Sequence, residues 1–362
     1  MVEASKFTPD VERTLDREEE LTREILAQMA ASQQSAAEKH RHAHRDAHAK
    51  SHAVLKATLT VHADLPSELA QGIFRRPGSY DAVVRMSSSP GDIHPDRTPA
   101  PRGCAIKVMG VDGDRLLPDL GGHNQDFLMV NFPTLAFGTA AKYKDMLQLL
   151  EKNAQAPETL QRLGTKTMRL VREAVEATGH TPSATLEGLG RGDDHVLGET
   201  YYTQGALRYG DYIAKLSLAP KSPNVRALTG ENMEVTRFSA IRDLLVDFFR
   251  TENAEYELRA QLSIDTDTMP VEDAAVLWKE EDSPHCPIAT LHIESQDAYG
   301  PKRRVYADDV LTFNPWNGVA AHQPLGSIMR IRKAAYQRST QYRHEYNARQ
   351  LKEPAGLDEI PD

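Results

Sequence analysis

The stretch that most constrains the fold lies near the end of the chain, in residues 313–343. A Pro-Leu-Gly turn precedes Ser327, from which a buried helical face is predicted at these positions: Ile328, Ile331, Ala335 and Tyr336. Arg332 and Tyr336 stand four residues apart and therefore share one side of that helix. A phenol titrates near a pKa of about 10, and a neighbouring permanent cation favours the phenolate. The pair is therefore suited to binding ferric iron, although such pairs are also common on ordinary amphipathic helices.

A second segment, residues 40–52, carries five histidines. Zinc is one interpretation, because His44, His48 and His52 would line one face if this segment were helical. Neighbouring cations oppose a dication, and no cysteine accompanies the histidines. A histidine that titrates near neutrality can instead carry a proton during cleavage of a peroxide bond.

These two segments resemble the haem-binding motifs of catalases. Arg45–Lys50 is similar to the distal R-x-x-H-A-K motif, and the helix with Arg332 and Tyr336 is similar to the proximal haem helix. The resemblance implies haem b as the cofactor, with Tyr336 as the axial iron ligand and Arg332 as the group that supports its phenolate. It further implies that His48 is the distal acid–base residue and that Arg45 contacts a haem propionate.

Four further segments occur in the order found in catalases: Val84–Ser87, Arg102–Val108, Gln125–Pro133 and Leu311–Asn317. The resemblance implies that Arg85 and Arg343 lie near the propionates and that Ser87 orients His48. Asn131 is the only candidate for the distal amide that holds the peroxide. One asparagine stands where catalases have two, so this role requires a loop one residue shorter.

Strand-like alternation recurs along the rest of the chain, in residues 55–63, 80–88, 201–218, 256–265 and 289–293, and Val305 is expected in a further short strand. Helical patterns cover residues 10–37, 139–178 and 238–249. The predicted fold is α+β, and the resemblance implies a closed antiparallel β-barrel with surrounding helices that enclose haem. We expect a solvated N-terminal helical arm at 1–39, a haem domain at 40–350 and a C-terminal tail at 351–362. The absence of long extensions after the proximal helix resembles the smaller catalase-related proteins.

Composition excludes several other classes. A net charge of -9 and a sequence pI of about 5.9 argue against a general nucleic-acid binder. No apolar run approaches a membrane span, and the first residues lack the features of a signal peptide, so a cytoplasmic location is expected. Cys104 and Cys286 are too few for a disulfide framework and fit a reducing compartment.

Three functions follow from the resemblance. The first is a haem enzyme of catalase or peroxidase type that acts on hydrogen peroxide. The second is conversion of an organic or lipid hydroperoxide, as in catalase-related allene oxide synthases, since Ala47 is smaller than the valine usual before the distal histidine of catalases. The third is a haem-binding protein without turnover. A homo-oligomer is left open.

Overall fold

One antiparallel sheet, closed into a barrel, dominates the protein. The structure is a computed structural model that describes residues 3–89, 91–98, 100–135, 137–145, 147 and 194–362. The strands are β1 (Lys50–Val61), β2 (Gly78–Ser88), β3 (Arg102–Val108), β4 (Gln125–Val130), β5 (Tyr201–Tyr202), β6 (Leu207–Tyr209), β7 (Tyr212–Pro220), β8 (Ala254–Leu262) and β9 (Cys286–Ile293). Pairing of β1 with β9 and of β5 with both β4 and β7 closes a ring of eight strands, and β6 forms a hairpin with β7. The closed antiparallel barrel is thus confirmed.

The barrel interior holds the main apolar core. Alternate residues of each strand enter it, as Leu55, Ala57 and Leu59 do from β1, and all three are buried. Their neighbours along the strand face outwards, which is the two-residue period expected of a strand with one face in a core. The pairing of β1 with β2 shifts register between Ser51 and Ala53, so that His52 is the extra residue of a bulge.

The helices surround the barrel. They are α1 (Glu18–His40), α2 (Pro223–Arg226), α3 (Ala240–Phe249), α4 (Pro301–Val305), which continues into a π-helical segment (Tyr306–Val310), and α5 (Ser327–Tyr346). The sequence predicted α1, α3 and α5 correctly. The prediction of a short strand at Val305 was wrong, because this residue is the last of α4. Most of the helical pattern at 139–178 lies outside the described residues, and residues 140–145 are helical. No helix in the described parts of the chain is long and apolar enough to cross a bilayer.

Helix α1 packs along α5 rather than standing in solvent. Ile25 of α1 is fully buried and shares an apolar cluster with Ile331 of α5. Gln33 Nε2 donates to the carbonyl oxygen of Ser339 at 3.1 Å, which joins the two helices by a buried polar contact. The N-terminal segment therefore contributes to the surroundings of the helix that carries Arg332 and Tyr336.

The start of α5 is fixed by carboxylates from two other segments. Arg330 donates to Glu12 at 2.6 Å, to Glu18 at 2.7 Å and to Glu272 at 2.9 Å. The backbone N–H of Ser327 also donates to Glu272, at 2.8 Å, so that this side chain satisfies a free donor of the first turn. These bonds raise the pKa of Arg330 above its ordinary value and fix the position of α5.

Candidate active site

Helix α5 presents the arginine–tyrosine pair as a direct hydrogen bond. Arg332 Nη2 donates to Tyr336 Oη at 3.0 Å, and the guanidinium carbon lies 5.2 Å from the centroid of the Tyr336 ring. The other terminal nitrogen of Arg332 lies 3.3 Å from the sulfur of Met329. The pair therefore has the arrangement in which a cation stabilises negative charge on a phenol oxygen.

His48 lies in the irregular segment between α1 and β1. Because α1 ends at His40, the segment is not helical and does not bring His44, His48 and His52 onto one helical face. The φ angle of His48 is 51°, in the left-handed region that non-glycine residues seldom adopt. Arg85 Nη2 donates to the carbonyl oxygen of His48 at 2.7 Å, which holds the backbone in this conformation.

The imidazole of His48 packs against β2 and β3. Its Nδ1 lies 3.3 Å from Ser87 Oγ on β2, so the residue expected to orient His48 does contact it. On β3, a side chain at Gly103 would place a Cβ atom only 2.6 Å from that same Nδ1. The glycine therefore leaves the space into which the ring fits.

His48 is neutral in this environment. Burial, and then the positive charges of Arg85 and Arg332, lower its pKa to about 3. Because the charge of Arg332 acts on His48, the early histidine and the late arginine–tyrosine pair lie within electrostatic range of each other. When Nδ1–H donates to Ser87, Nε2 remains as the proton acceptor.

Three arginines predicted near the propionates come together around the π-helical segment. Arg45 Nη2 donates to the carbonyls of Ala307 at 2.7 Å and Leu311 at 2.6 Å, and Arg343 donates to those of Asp308 at 2.5 Å and Leu311 at 3.2 Å. Burial and the charge of Arg45 lower the pKa of Arg85 to about 9. The pKa of Arg343 falls well below its ordinary value for the same reasons, with Arg85 adding to the effect.

Asn131 is buried where β4 ends, next to the strand that carries Gly103. Its Oδ1 accepts from the backbone N–H of Arg102 at 2.9 Å, and its own backbone N–H donates to the carbonyl of Arg102 at 3.1 Å. These contacts give the side chain a role in continuing the pairing of β3 with β4. Its role as the distal amide stays a prediction.

The sequence did not single out three residues that shape this region. Asp308 and Tyr299 lie close enough to Arg45 and Arg85 to act on the pKa of both arginines. Gly103 was noted only as part of a strand motif. The adjacent acidic pair at 308–309 is visible in the sequence. Its proximity to Arg45 is not, because more than 250 residues separate the two segments along the chain.

The described residues fit a haem group on two grounds. The Arg45, Arg85 and Arg343 cluster carries three positive charges, and the nearby carboxylates Asp308 and Asp309 supply two negative ones. Burial lowers the pKa of each of the three arginines, so their charge is costly in this environment. Propionates bound there would offset the remaining positive charge. A phenol oxygen with an arginine donor at 3.0 Å is, in turn, a ligand type suited to ferric iron.

Comparison with solved structures finds catalases of similar fold. A fungal catalase matches with a TM-score of 0.60 and 16% sequence identity, over 86% of this chain and 62% of that protein. Catalase A from Saccharomyces cerevisiae matches with a TM-score of 0.58 and 14% sequence identity, over 89% of this chain and 68% of that protein. A bacterial catalase matches with a TM-score of 0.59 and 15% sequence identity, over 97% of this chain and 66% of that protein. The chain thus spans about two thirds of the length of these catalases.

Searches by sequence give a different result. No family model matches the chain, and no curated protein matches it. At 14–16% identity, the structural similarity establishes the fold and leaves the chemistry to be argued from the residues. The probability of 1.00 and the coverage of most of the chain in all three comparisons show that this protein has the catalase-like fold.

Proposed function

We propose that the protein is a haem-dependent oxidoreductase that acts on hydrogen peroxide or an organic hydroperoxide. The observation that carries the proposal is that a partly buried, neutral imidazole, His48, lies within electrostatic range of the hydrogen-bonded pair of Arg332 and Tyr336. A proton acceptor on one side and a candidate iron ligand on the other are the two protein groups that peroxide cleavage at haem requires.

The proximal residues bind and tune the cofactor in this proposal. Tyr336 would hold the haem iron through its phenol oxygen, and Arg332, whose guanidinium donates to that oxygen, would favour the phenolate. Arg45, Arg85 and Arg343 would bind the two propionates and thereby orient the ring. When bound, the haem iron supplies the redox chemistry that breaks the O–O bond.

His48 moves the proton. Its Nε2 would accept a proton from one oxygen of the peroxide and return it to the other, while Ser87 holds Nδ1 and so fixes the tautomer. The environment of the imidazole keeps it neutral before the reaction. Asn131 is proposed to hold the peroxide through its amide N–H groups.

Organic hydroperoxides are the second candidate substrate. The Oδ1 of Asn131 accepts from the backbone N–H of Arg102, so that only its amide N–H groups remain to contact a peroxide. Such a contact does not distinguish hydrogen peroxide from an organic hydroperoxide. Haem binding without turnover is the remaining possibility, and the assays below separate all three.

The central experiment reconstitutes the protein with haem and replaces the axial ligand. Tyr336→Phe removes the only oxygen of that side chain, so we expect a shifted Soret absorption band and loss of peroxide-dependent turnover. Tyr342→Phe is the matched control, because Tyr342 lies on the same helix and stacks on Tyr346 with ring centroids 5.8 Å apart. An unchanged spectrum in Tyr336→Phe would refute the axial role.

Three measurements on the reconstituted protein identify the reaction. Oxygen release from hydrogen peroxide indicates catalase activity, oxidation of a phenolic donor indicates peroxidase activity, and loss of a fatty-acid hydroperoxide without a donor indicates isomerisation or dehydration. His48→Gln should reduce whichever rate is observed by roughly 100- to 10,000-fold, the usual contribution of a positioned acid–base group. Haem binding with none of the three activities would leave a binding protein.

A further inference from the structure

The guanidinium of Arg332 joins two side chains on one face of α5. Met329, Arg332 and Tyr336 follow one another at spacings of three and four residues, which stacks their side chains along the helix. One terminal nitrogen of Arg332 donates to the sulfur of Met329 at 3.3 Å, and the other donates to the oxygen of Tyr336 at 3.0 Å. Among the residues that the structure describes, no carboxylate forms an ion pair with Arg332. The acceptors of its two terminal nitrogens are therefore a thioether and a phenol.

The sulfur of Met329 is held in place by two other segments. Met329 is 6% exposed, and its carbonyl oxygen accepts from the indole N–H of Trp316 at 2.6 Å, which fixes its backbone. Gly205, between β5 and β6, lies so close that an added Cβ would be 2.7 Å from the sulfur and 2.8 Å from Cγ of Met329. A methionine side chain has three rotatable bonds and adapts readily to its surroundings. The close approach of Gly205 therefore restricts the sulfur to the position that Arg332 contacts.

A thioether suits this position because it is a weak and neutral acceptor. A carboxylate in its place would form a charge-assisted hydrogen bond with Arg332 and would offset the charge that acts on the phenol. An apolar side chain would offer no acceptor, so the guanidinium could turn away from Tyr336. The thioether avoids both effects, because it fixes the direction of one terminal nitrogen and leaves the positive charge to act on Tyr336 through the other.

We propose that Met329 is a positioning residue, whose sulfur directs Arg332 onto the oxygen of Tyr336 without neutralising the guanidinium. This role rests on the proposed function, in which Tyr336 holds the haem iron, and deepens it. Met329 controls how readily Tyr336 loses its proton, and that property is measurable in the protein without haem. The measurement therefore tests Met329 independently of haem binding.

Three substitutions at Met329 separate the acceptor from the packing. Met329→Leu keeps an apolar side chain and removes the acceptor, Met329→Gln restores a neutral acceptor, and Met329→Glu introduces a charged one. The ratio of phenolate to phenol at Tyr336 is read at one alkaline pH from the ¹³Cζ signal of tyrosine-labelled protein without haem, assigned with Tyr336→Phe. We expect this ratio to fall about threefold in Met329→Leu and about tenfold in Met329→Glu, and to stay within about twofold of the wild type in Met329→Gln.

Gly205→Ala displaces the sulfur from another segment of the chain. The φ angle of Gly205 lies outside the left-handed region, so alanine meets no backbone strain there, and the added Cβ has to move only a flexible side chain. The phenolate ratio should fall in this variant as it does in Met329→Leu. Met233→Leu is the matched control, because Met233 is also 6% exposed and packs in the barrel core. It should leave the ratio unchanged.

Circular dichroism of each variant confirms folding before the measurement. A wild-type ratio in both Met329→Leu and Gly205→Ala would overturn the proposal, and so would a wild-type ratio in Met329→Glu. The haem-loaded variants complete the test, since Met329→Glu should shift the Soret band and Met329→Gln should not. A lowered phenolate ratio in Met329→Glu together with an unchanged Soret band would support the positioning of Arg332 and refute the axial role of Tyr336, so that the two proposals fail separately.

Discussion

Replacement of Gly103 by alanine tests whether the packing of His48 determines the activity. The alanine Cβ would lie 2.6 Å from His48 Nδ1 and 2.8 Å from both His48 Cε1 and Ser87 Oγ. Favourable heavy-atom contacts lie near 3.5 Å or beyond, so the ring must retreat by about 1 Å. The backbone of β3 pairs with β2 and β4 on its two sides and offers little room for adjustment.

Two effects of different size are expected. A misplacement of about 1 Å at a reacting group costs on the order of 100-fold in rate, so peroxide turnover of the haem-loaded Gly103→Ala protein should fall by about that factor. Overpacking should lower the free energy of unfolding by about 1–3 kcal/mol. The Soret band should change little, because the axial ligand lies on another element.

The control for this variant is Gly78→Ala at the start of β2, where an added Cβ meets nothing within 4 Å. This variant should have the turnover rate of the wild type, and its free energy of unfolding should change by less than about 0.5 kcal/mol. Stopped-flow peroxide consumption and urea unfolding at one pH measure both quantities. A Gly103→Ala protein whose rate stays within twofold of the wild type would refute the role of a positioned His48.

Two further predictions concern stability. His322 is buried, and burial lowers its pKa to about 3, so between pH 6.5 and 3 the unfolded chain binds a proton that the folded chain does not. Stability therefore falls with falling pH. His322→Gln should reduce the slope of unfolding free energy against pH by up to about 1.4 kcal/mol per unit, and a slope equal to that of the wild type would contradict this. Glu353→Ala should lower the free energy of unfolding in urea by about 3 kcal/mol, because Glu353 pairs with the fully buried Lys107 at 2.7 Å. Glu359→Ala, at the surface, should lower it by less than about 1 kcal/mol. Equal losses in the two variants would exclude a special role for Glu353.

The parts of the fold that the sequence predicted are those with strong local signals. Helix α5 begins at Ser327, as its apolar periodicity predicted, whereas the bounds of β3, Arg102–Val108, were implied by the resemblance of that segment to a catalase strand. Barrel closure through the two-residue strand β5 had no such signal. A strand this short depends on partners that lie elsewhere in the chain, so only the resemblance to catalases implied closure.

The candidate site likewise contains residues that local motifs indicated and residues that they did not. The motifs singled out His48 and Ser87, and the structure brings their side chains into contact, while their roles stay predictions. Tyr299 and Asp308 were missed because they act through packing against Arg45, and a single sequence does not record which distant segments pack together. The burial of α1 against α5 was missed for the same reason, since the polar residues of α1 suggested a solvated helix.

The arginines of the site have two effects that oppose each other. Arg85 holds the backbone of His48 through its carbonyl, yet its charge and that of Arg332 add to the effect of burial, and together they lower the pKa of the imidazole to about 3. An anionic group bound by Arg85 would offset the part of this shift that comes from its charge and raise the pKa of His48, while the larger effect of burial would remain. In the proposed mechanism the propionates would therefore act on the basicity of His48 as well as on the orientation of the ring.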